Sequence, residues 1–253
     1  WDIHGTVQAG VTRVSVADGG GEYAAASGVP SLSGDGKVVV FETRQSNLTT
    51  NGDGGSAVVR RDLVAKSTTL LSKDGSGKAL DSFWPMTSED GKRIVFYSFW
   101  PLVAGDTNGL WDIFLYDGTT SSLKRVSLTS TGGERDQGSE SSSRSVAPAI
   151  SGDGRFVAFA TTANNMVPGD TNGLQDVFVV DTQTGAVTRA SVSTSGAQGD
   201  RDSPIGQGER LSLSADGNTW YRLWNPVSQS SGVWTQYTFD LVAAAVSAGI
   251  ENL

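Results

Sequence analysis

The stretch PAISGDGRFVAFAT, from Pro148 to Thr161, sets a proline and a Ser-Gly-Asp-Gly turn ahead of an alternating apolar run. Aspartate followed by glycine between apolar segments is a hairpin signal, because both residues tolerate the positive φ of a tight turn. The turn returns as SGDGK at Ser33 to Lys37, as SEDGK at Ser88 to Lys92 and as SADGN at Ser214 to Asn218. The aspartates Asp35, Asp90, Asp153 and Asp216 lie 55, 63 and 63 residues apart. Pro30, Pro85 and Pro148 each stand five residues ahead of the first three, and Leu211 takes that place in the fourth. A period of this length marks one supersecondary unit written several times.

Each turn leads into a run that reads as a buried strand: KVVVFET, KRIVFYS, RFVAFAT and, more weakly, NTWYRLW. A third strand is expected in AVVRRD, WDIFLYD, DVFVVD and VWTQYTFD, and a fourth in GVTRVSV, STTLLS, SLKRVSL and AVTRASV. Four antiparallel strands repeated in series are the sequence form of a β-propeller. The expected fold is therefore all-β, with about four full four-stranded blades and an N-terminal half-blade. The half-blade covers 1–29, followed by blades at 30–84, 85–147 and 148–208 and a divergent blade at 209–253. WDI at Trp1 aligns with WDI at Trp111, so the first unit supplies only its last two strands. An incomplete blade leaves an edge open to self-association, or belongs to a larger propeller. The opening WDIHGTVQAG reads as the interior of a longer, processed protein.

Composition agrees. The 253 residues are 37% hydrophobic and include 32 glycines, which favours strands and turns. The formal net charge of -8 disfavours nucleic acid and anionic membranes as partners and favours cationic ligands. No apolar stretch is long enough to insert into a bilayer as a helix. With no cysteine there are no disulfides and no thiolate metal sites.

Between the second and third strands lies a near-identical loop, GDTNGLWDIF at Gly105 to Phe114 and GDTNGLQDVF at Gly169 to Phe178. Asp106, Asn108 and Asp112 stand at its first, third and seventh positions, as do Asp170, Asn172 and Asp176 in the second copy. With the backbone carbonyls of Leu110 and Leu174 at the fifth position, this spacing suits a hard, oxygen-seeking cation such as Ca²⁺. The other reading is a structural loop in which Asp and Asn cap backbone amides. Ala57 and Thr235 replace the last aspartate in two other units, so two Ca²⁺ sites are expected. Asp2 matches Asp112 but has no loop ahead of it.

The combined pattern, Pro-x-Leu/Ile-Ser-x-Asp-Gly-Lys/Arg with Val-x-Phe, then Gly-Asp-Thr-Asn-Gly and Asp-Val/Ile-Phe, resembles the WD40-like (PD40) repeats of TolB-type propellers. Within that group it looks most like the calcium-associated bacterial branch. The resemblance is tight over 85–147 and 148–208, loose over 30–84 and weak after Glu209. It implies a secreted or periplasmic bacterial protein and supports the Ca²⁺ expectation.

Catalysis has little to work with. His4 is the lone histidine, so no histidine-rich metal centre exists, and no carboxylate spacing singles out an acid–base pair. Topology puts the Gly-Asp-Thr-Asn-Gly loops on the same face as the crossovers GGERDQGSESSS and GAQGDRDSP. Glu134, Arg135 and Asp136 are expected there beside Asp200, Arg201 and Asp202. SFWP occurs twice, and Trp84, Trp100 and Trp111 with Asp136 and Asp202 form a candidate carbohydrate surface. Packing of these rings between blades is the competing reading. The expected function is a non-catalytic scaffold or a protein- or carbohydrate-binding module. The alternative is the propeller domain of a larger peptidase or polysaccharide-active enzyme.

Overall fold

The computed structural model describes residues 11–44, 55–136, 147–193, 195–199, 210–214, 216–217, 219–224 and 233–238; for Arg210 and the last two segments it describes the backbone alone. Among them every regular element is a strand. The first sheet is β1 (Ser27–Leu32), β2 (Val38–Thr43), β3 (Ala57–Asp62) and β4 (Ser67–Leu70), paired antiparallel in that order. The second repeats it with β5 (Ser82–Thr87), β6 (Arg93–Ser98), β7 (Asp112–Asp117) and β8 (Ser122–Arg125). The third has β9 (Ala149–Ile150), β10 (Phe156–Thr161), β11 (Asp176–Asp181) and β12 (Val187–Arg189). Three strands of a fourth are described: β13 (Arg210–Leu213), β14 (Thr219–Trp224) and β15 (Val233–Thr238). The sheets pack face to face in chain order, β1 and β2 against β5, β5 and β6 against β9, and β9 and β10 against β13. This is an all-β propeller of four-stranded blades.

Because each central strand is covered on both faces, its sequence is a continuous apolar run. Period-two alternation then sorts the side chains between two inter-blade cores. In β10, Val157 and Phe159 join Val95, Ile113, Phe178 and Val180 between the second and third blades. Their neighbours Phe156 and Ala158 turn the other way, to Val177, Val179 and Leu211. Ile94, Phe96 and Phe114 meet Val38, Val40 and Val58 between the first and second blades.

The Ser-x-Asp-Gly turns join β1 to β2 and its equivalents. Asp35 accepts from Ser33 Oγ (2.8 Å) and the Lys37 amide (3.0 Å), while Ser33 Oγ accepts from the Val38 amide (3.0 Å). Ser88 with Asp90 and Ser151 with Asp153 repeat the network. The Lys37 amide above all, with Ser33, holds the Asp35 carboxyl down at about 2. Successive turns are also tied to one another, Gly34 N–H to the Glu89 carbonyl (2.8 Å) and Glu89 N–H to the Gly152 carbonyl (2.9 Å). Glycine is required at Gly91: its φ is +68°, and a Cβ there would lie 2.7 Å from Val38 of the previous blade.

On the innermost strands the residue before proline is bulged. Val29 (φ 48°) and Trp84 (φ 56°) occupy left-handed backbone where the register of β1 and β5 shifts. Pro30 and Pro85 carry no N–H, which fits a place where the ladder is already interrupted.

The segment expected as the fourth strand of the half-blade, GVTRVSV, forms no strand in its described part, residues 11–16. Its expected ladder partner, residues 1–10, lies outside the described residues, as do His4 and Asp2. Instead a single bridge joins Val16 to Glu22, and Val14 and Ala17 pack on Tyr23, Val39, Phe41 and Val59 of the first blade. The expected last strand of the divergent blade also lies outside the described residues.

Candidate functional site

The two Gly-Asp-Thr-Asn-Gly loops connect β6 to β7 and β10 to β11, so both emerge on the face opposite the Ser-x-Asp-Gly turns. Each loop folds around an arginine from the last strand of its own blade. β7 pairs with β8 so that Phe114 faces Arg125, which brings the guanidinium back under the loop. Arg125 Nη1 lies 2.8 Å from Asp106, 3.3 Å from Asp112 and 2.8 Å from Glu134, and Nη2 donates to the Gly105 carbonyl at 3.0 Å. The Asp106, Asp112 and Arg125 side chains are 5%, 0% and 7% exposed. In the next blade Arg189 lies 3.2 Å from Asp170 and 3.7 Å from Asp176, and donates to Gln198 Oε1 at 2.9 Å.

The crossover fastens further atoms of the loops, although Asn108 Nδ2 and Asp170 Oδ1 are buried with no hydrogen-bond partner among the described residues. Glu134 accepts from the Thr107 amide (2.7 Å) and hydroxyl (2.8 Å). Gln198 takes the equivalent place, its Oε1 accepting from the Thr171 amide (3.1 Å) and its Nε2 donating to the Thr171 hydroxyl (3.0 Å). Ser127 and Ser191 donate to Asp112 and Asp176, and each accepts the amide of the residue that follows its aspartate. Arg135 adds a second guanidinium at Asp112 (3.4 Å) and reaches Thr161 (2.8 Å) and the Trp111 carbonyl. Gly199 stands where Arg135 stands in the preceding unit, and there the Asn172 side-chain Nδ2 donates to Asp176 (3.3 Å) and to the Gly199 carbonyl (3.2 Å).

Asp106 and Glu134, which share the Arg125 guanidinium, do not ionise alike. Burial, and after it the Asp112 charge, raises the Asp106 carboxyl to about 6, although Arg125 pulls against both. The Thr107 amide and Arg125 hold Glu134 down at about 2. Burial also raises Asp170, against the pull of Arg189.

The side chains expected to hold calcium are therefore together, but they do not fit the ion in this arrangement. Ca²⁺ wants six to eight oxygens at roughly 2.3–2.6 Å. Here Asp106 and Asp112 converge on the Arg125 nitrogen, and Asp170 and Asp176 on that of Arg189. Asn108 and Asn172 turn Oδ1 back to the amides of Leu110 (3.0 Å) and Leu174 (3.1 Å), closing the turn instead of facing the aspartates. Among the described residues no group of acidic side chains is disposed to hold a metal.

A second feature lies beside the first loop. Trp111 packs on Tyr97 with ring centroids 4.7 Å apart and on Phe83 at 5.8 Å. Phe99 stands edge-on to it at 5.6 Å, and Trp100 edge-on to Phe99 at 6.1 Å. Phe99 and Trp100 are 42% and 44% exposed, whereas Trp84 and Trp111 are half-buried against the core between the second and third blades. Trp84 donates its amide to Glu42 Oε1 at 2.7 Å, and burial raises the Glu42 carboxyl. Asp136 is exposed but tied to the loop between β10 and β11, accepting from the Asn164 amide at 3.2 Å. Asp202, Asp200 and Arg201 lie outside the described residues.

Sequence reasoning found the loop acids and Trp100 but missed Arg125, Arg189, Ser127, Ser191, Gln198 and Phe99. A signal was present: Arg-x-Ser followed by Glu or Gln nine residues after the arginine, in RVSLTSTGGE and RASVSTSGAQ.

No protein-family model and no curated protein matches the sequence. Among solved structures, the chain is similar to TolB from Acinetobacter baumannii, at 18% identity and a TM-score of 0.48 over 85% of this chain and 44% of that one. It is also similar to a putative TolB from Agrobacterium tumefaciens, at 16% identity and a TM-score of 0.47 over 82% and 59%. The β-propeller domain of the Trilobed protease from Pyrococcus furiosus is similar at 13% identity and a TM-score of 0.48, over 85% and 54%. The chain thus spans about half the length of these structures.

Proposed function

We propose that this protein is an exported, non-catalytic propeller module that binds carbohydrate on its loop face, with Phe99 and Trp100 as the platform. The observation that carries this reading is the exposed aromatic pair braced on Trp111, at the edge of an acidic loop. A large ring left half in water is costly unless something covers it, and flat apolar rings beside carboxylates suit a sugar's C–H face and hydroxyls. The bracing matters because a platform fixed before binding loses little side-chain freedom when the ligand arrives. Asp112 is fully buried and committed to the guanidinium groups of Arg125 and Arg135, which leaves it ill-suited to proton transfer with a bound ligand.

Affinity electrophoresis through gels containing neutral or amino-sugar polysaccharides tests the reading. The wild-type protein should be retarded by at least one, Trp100→Ala and Phe99→Ala should run freely, and no reducing ends should appear. Equal retardation of all three proteins, or any release of reducing sugar, would overturn it.

A further inference from the structure

We infer that the repeated loop carries its own cation: Arg125 in one blade and Arg189 in the next hold the Gly-Asp-Thr-Asn-Gly loops shut in the place where a metal ion was expected. The geometry above is one support, and the comparison between blades is the other. Leu70 faces Val59 in the first blade as Arg125 faces Phe114 and Arg189 faces Phe178, so the three residues are equivalent. Where the arginine becomes Leu70, the last loop aspartate becomes Ala57 and the Glu134 or Gln198 position becomes Ala79, and both alanines are buried. Asn51 takes the place of Asp106 in the sequence. Arg13 and Glu22, at the same nine-residue spacing, also form an ion pair.

Charge explains why these positions change together. A buried carboxylate without its partner is strongly destabilising, as is a buried guanidinium without its own, whereas replacing the whole group with apolar residues costs little. A metal site decaying by loss of a ligand would have no reason to lose an arginine as well. An arginine held about 3 Å from the same oxygens would also repel a divalent ion strongly in a water-poor loop.

The test is thermal unfolding of the whole chain in chelator and in about 1 mM Ca²⁺, a level that would fill sites of ordinary extracellular affinity. The wild-type Tm should be the same in both. Arg125→Leu with Arg189→Leu should lower it by roughly 6 °C or more. Adding Asp106→Asn, Asp112→Ala, Glu134→Ala and Arg135→Leu to Arg125→Leu, which rewrites the second blade after the first, where Leu80 stands at the Arg135 position, should recover much of the loss caused by Arg125→Leu alone. This variant keeps the test open if the double arginine variant does not fold. A wild-type Tm that rises with Ca²⁺ and no longer does so in Asp112→Ala would overturn the inference, as would an Arg125→Leu protein as stable as wild type.

Discussion

Asp112 is fully buried, and a carboxylate in that position persists only because Ser127, Arg125 and Arg135 all answer its charge. Asp106 shares Arg125 with it and is the member left less well served. Its folded-state carboxyl sits near 6, above the ordinary aspartate value of 3.8, so between those values the folded chain holds a proton that the unfolded chain releases. On this account Asp106 reduces stability as pH rises through that window, and the effect is complete above about 6. Carboxyl-carbon NMR should show Asp106 titrating near 6, and Asp112→Asn should move it down by removing the neighbouring charge. Trp84 is a different case. It packs on the core between two blades, so Trp84→Ala should cost about 2 kcal/mol or more in urea unfolding while leaving ligand affinity unchanged. The loop acids were legible because each set lies within one ten-residue stretch and the same spacing recurs 64 residues on, at 105–114 and 169–178. Their partner was not, because Arg125 stands 13 residues after Asp112 and meets it only through the register of β7 on β8.

The Ser-x-Asp-Gly hairpins were the most legible elements. Their residues satisfy their own turn, so local chemistry and final structure coincide. What the sequence did not reveal is that one blade's turn rests on the blade before it. Gly91 approaches Val38, whereas a Cβ at Gly36 would meet nothing within 4 Å, although both have positive φ. Gly36→Ala should therefore cost only the backbone penalty of about 1 kcal/mol. Gly91→Ala should cost clearly more, about 2–3 kcal/mol, because it adds a clash to the same strain. Equilibrium urea unfolding of the two variants side by side distinguishes the cases, and equal losses would mean that the turn does not bear on its neighbour. The segment GVTRVSV shows the converse limit. Its pattern is that of a strand, but a strand exists only with a ladder partner, and among the described residues, 11–16 have only the Val16–Glu22 bridge and lie over the first blade.

Across the whole molecule the two faces are unlike. One is closed by turns hydrogen-bonded from blade to blade, and the other carries the arginine-held acidic loops and the aromatic platform. The net charge of -8 sets a field that attracts cations at long range, so amino-sugar oligomers should associate faster than neutral ones and lose that advantage in high salt. Stopped-flow tryptophan fluorescence at two ionic strengths would measure this. The central proposal is a binding face that is rigid without a metal. It is tested most directly by calorimetric titration of the protein with neutral and amino-sugar oligosaccharides, in chelator and again in Ca²⁺. The predicted result is binding of the same affinity in both, weakened roughly tenfold by Trp100→Ala. Binding that appears only with Ca²⁺, or that is indifferent to Trp100, would contradict it.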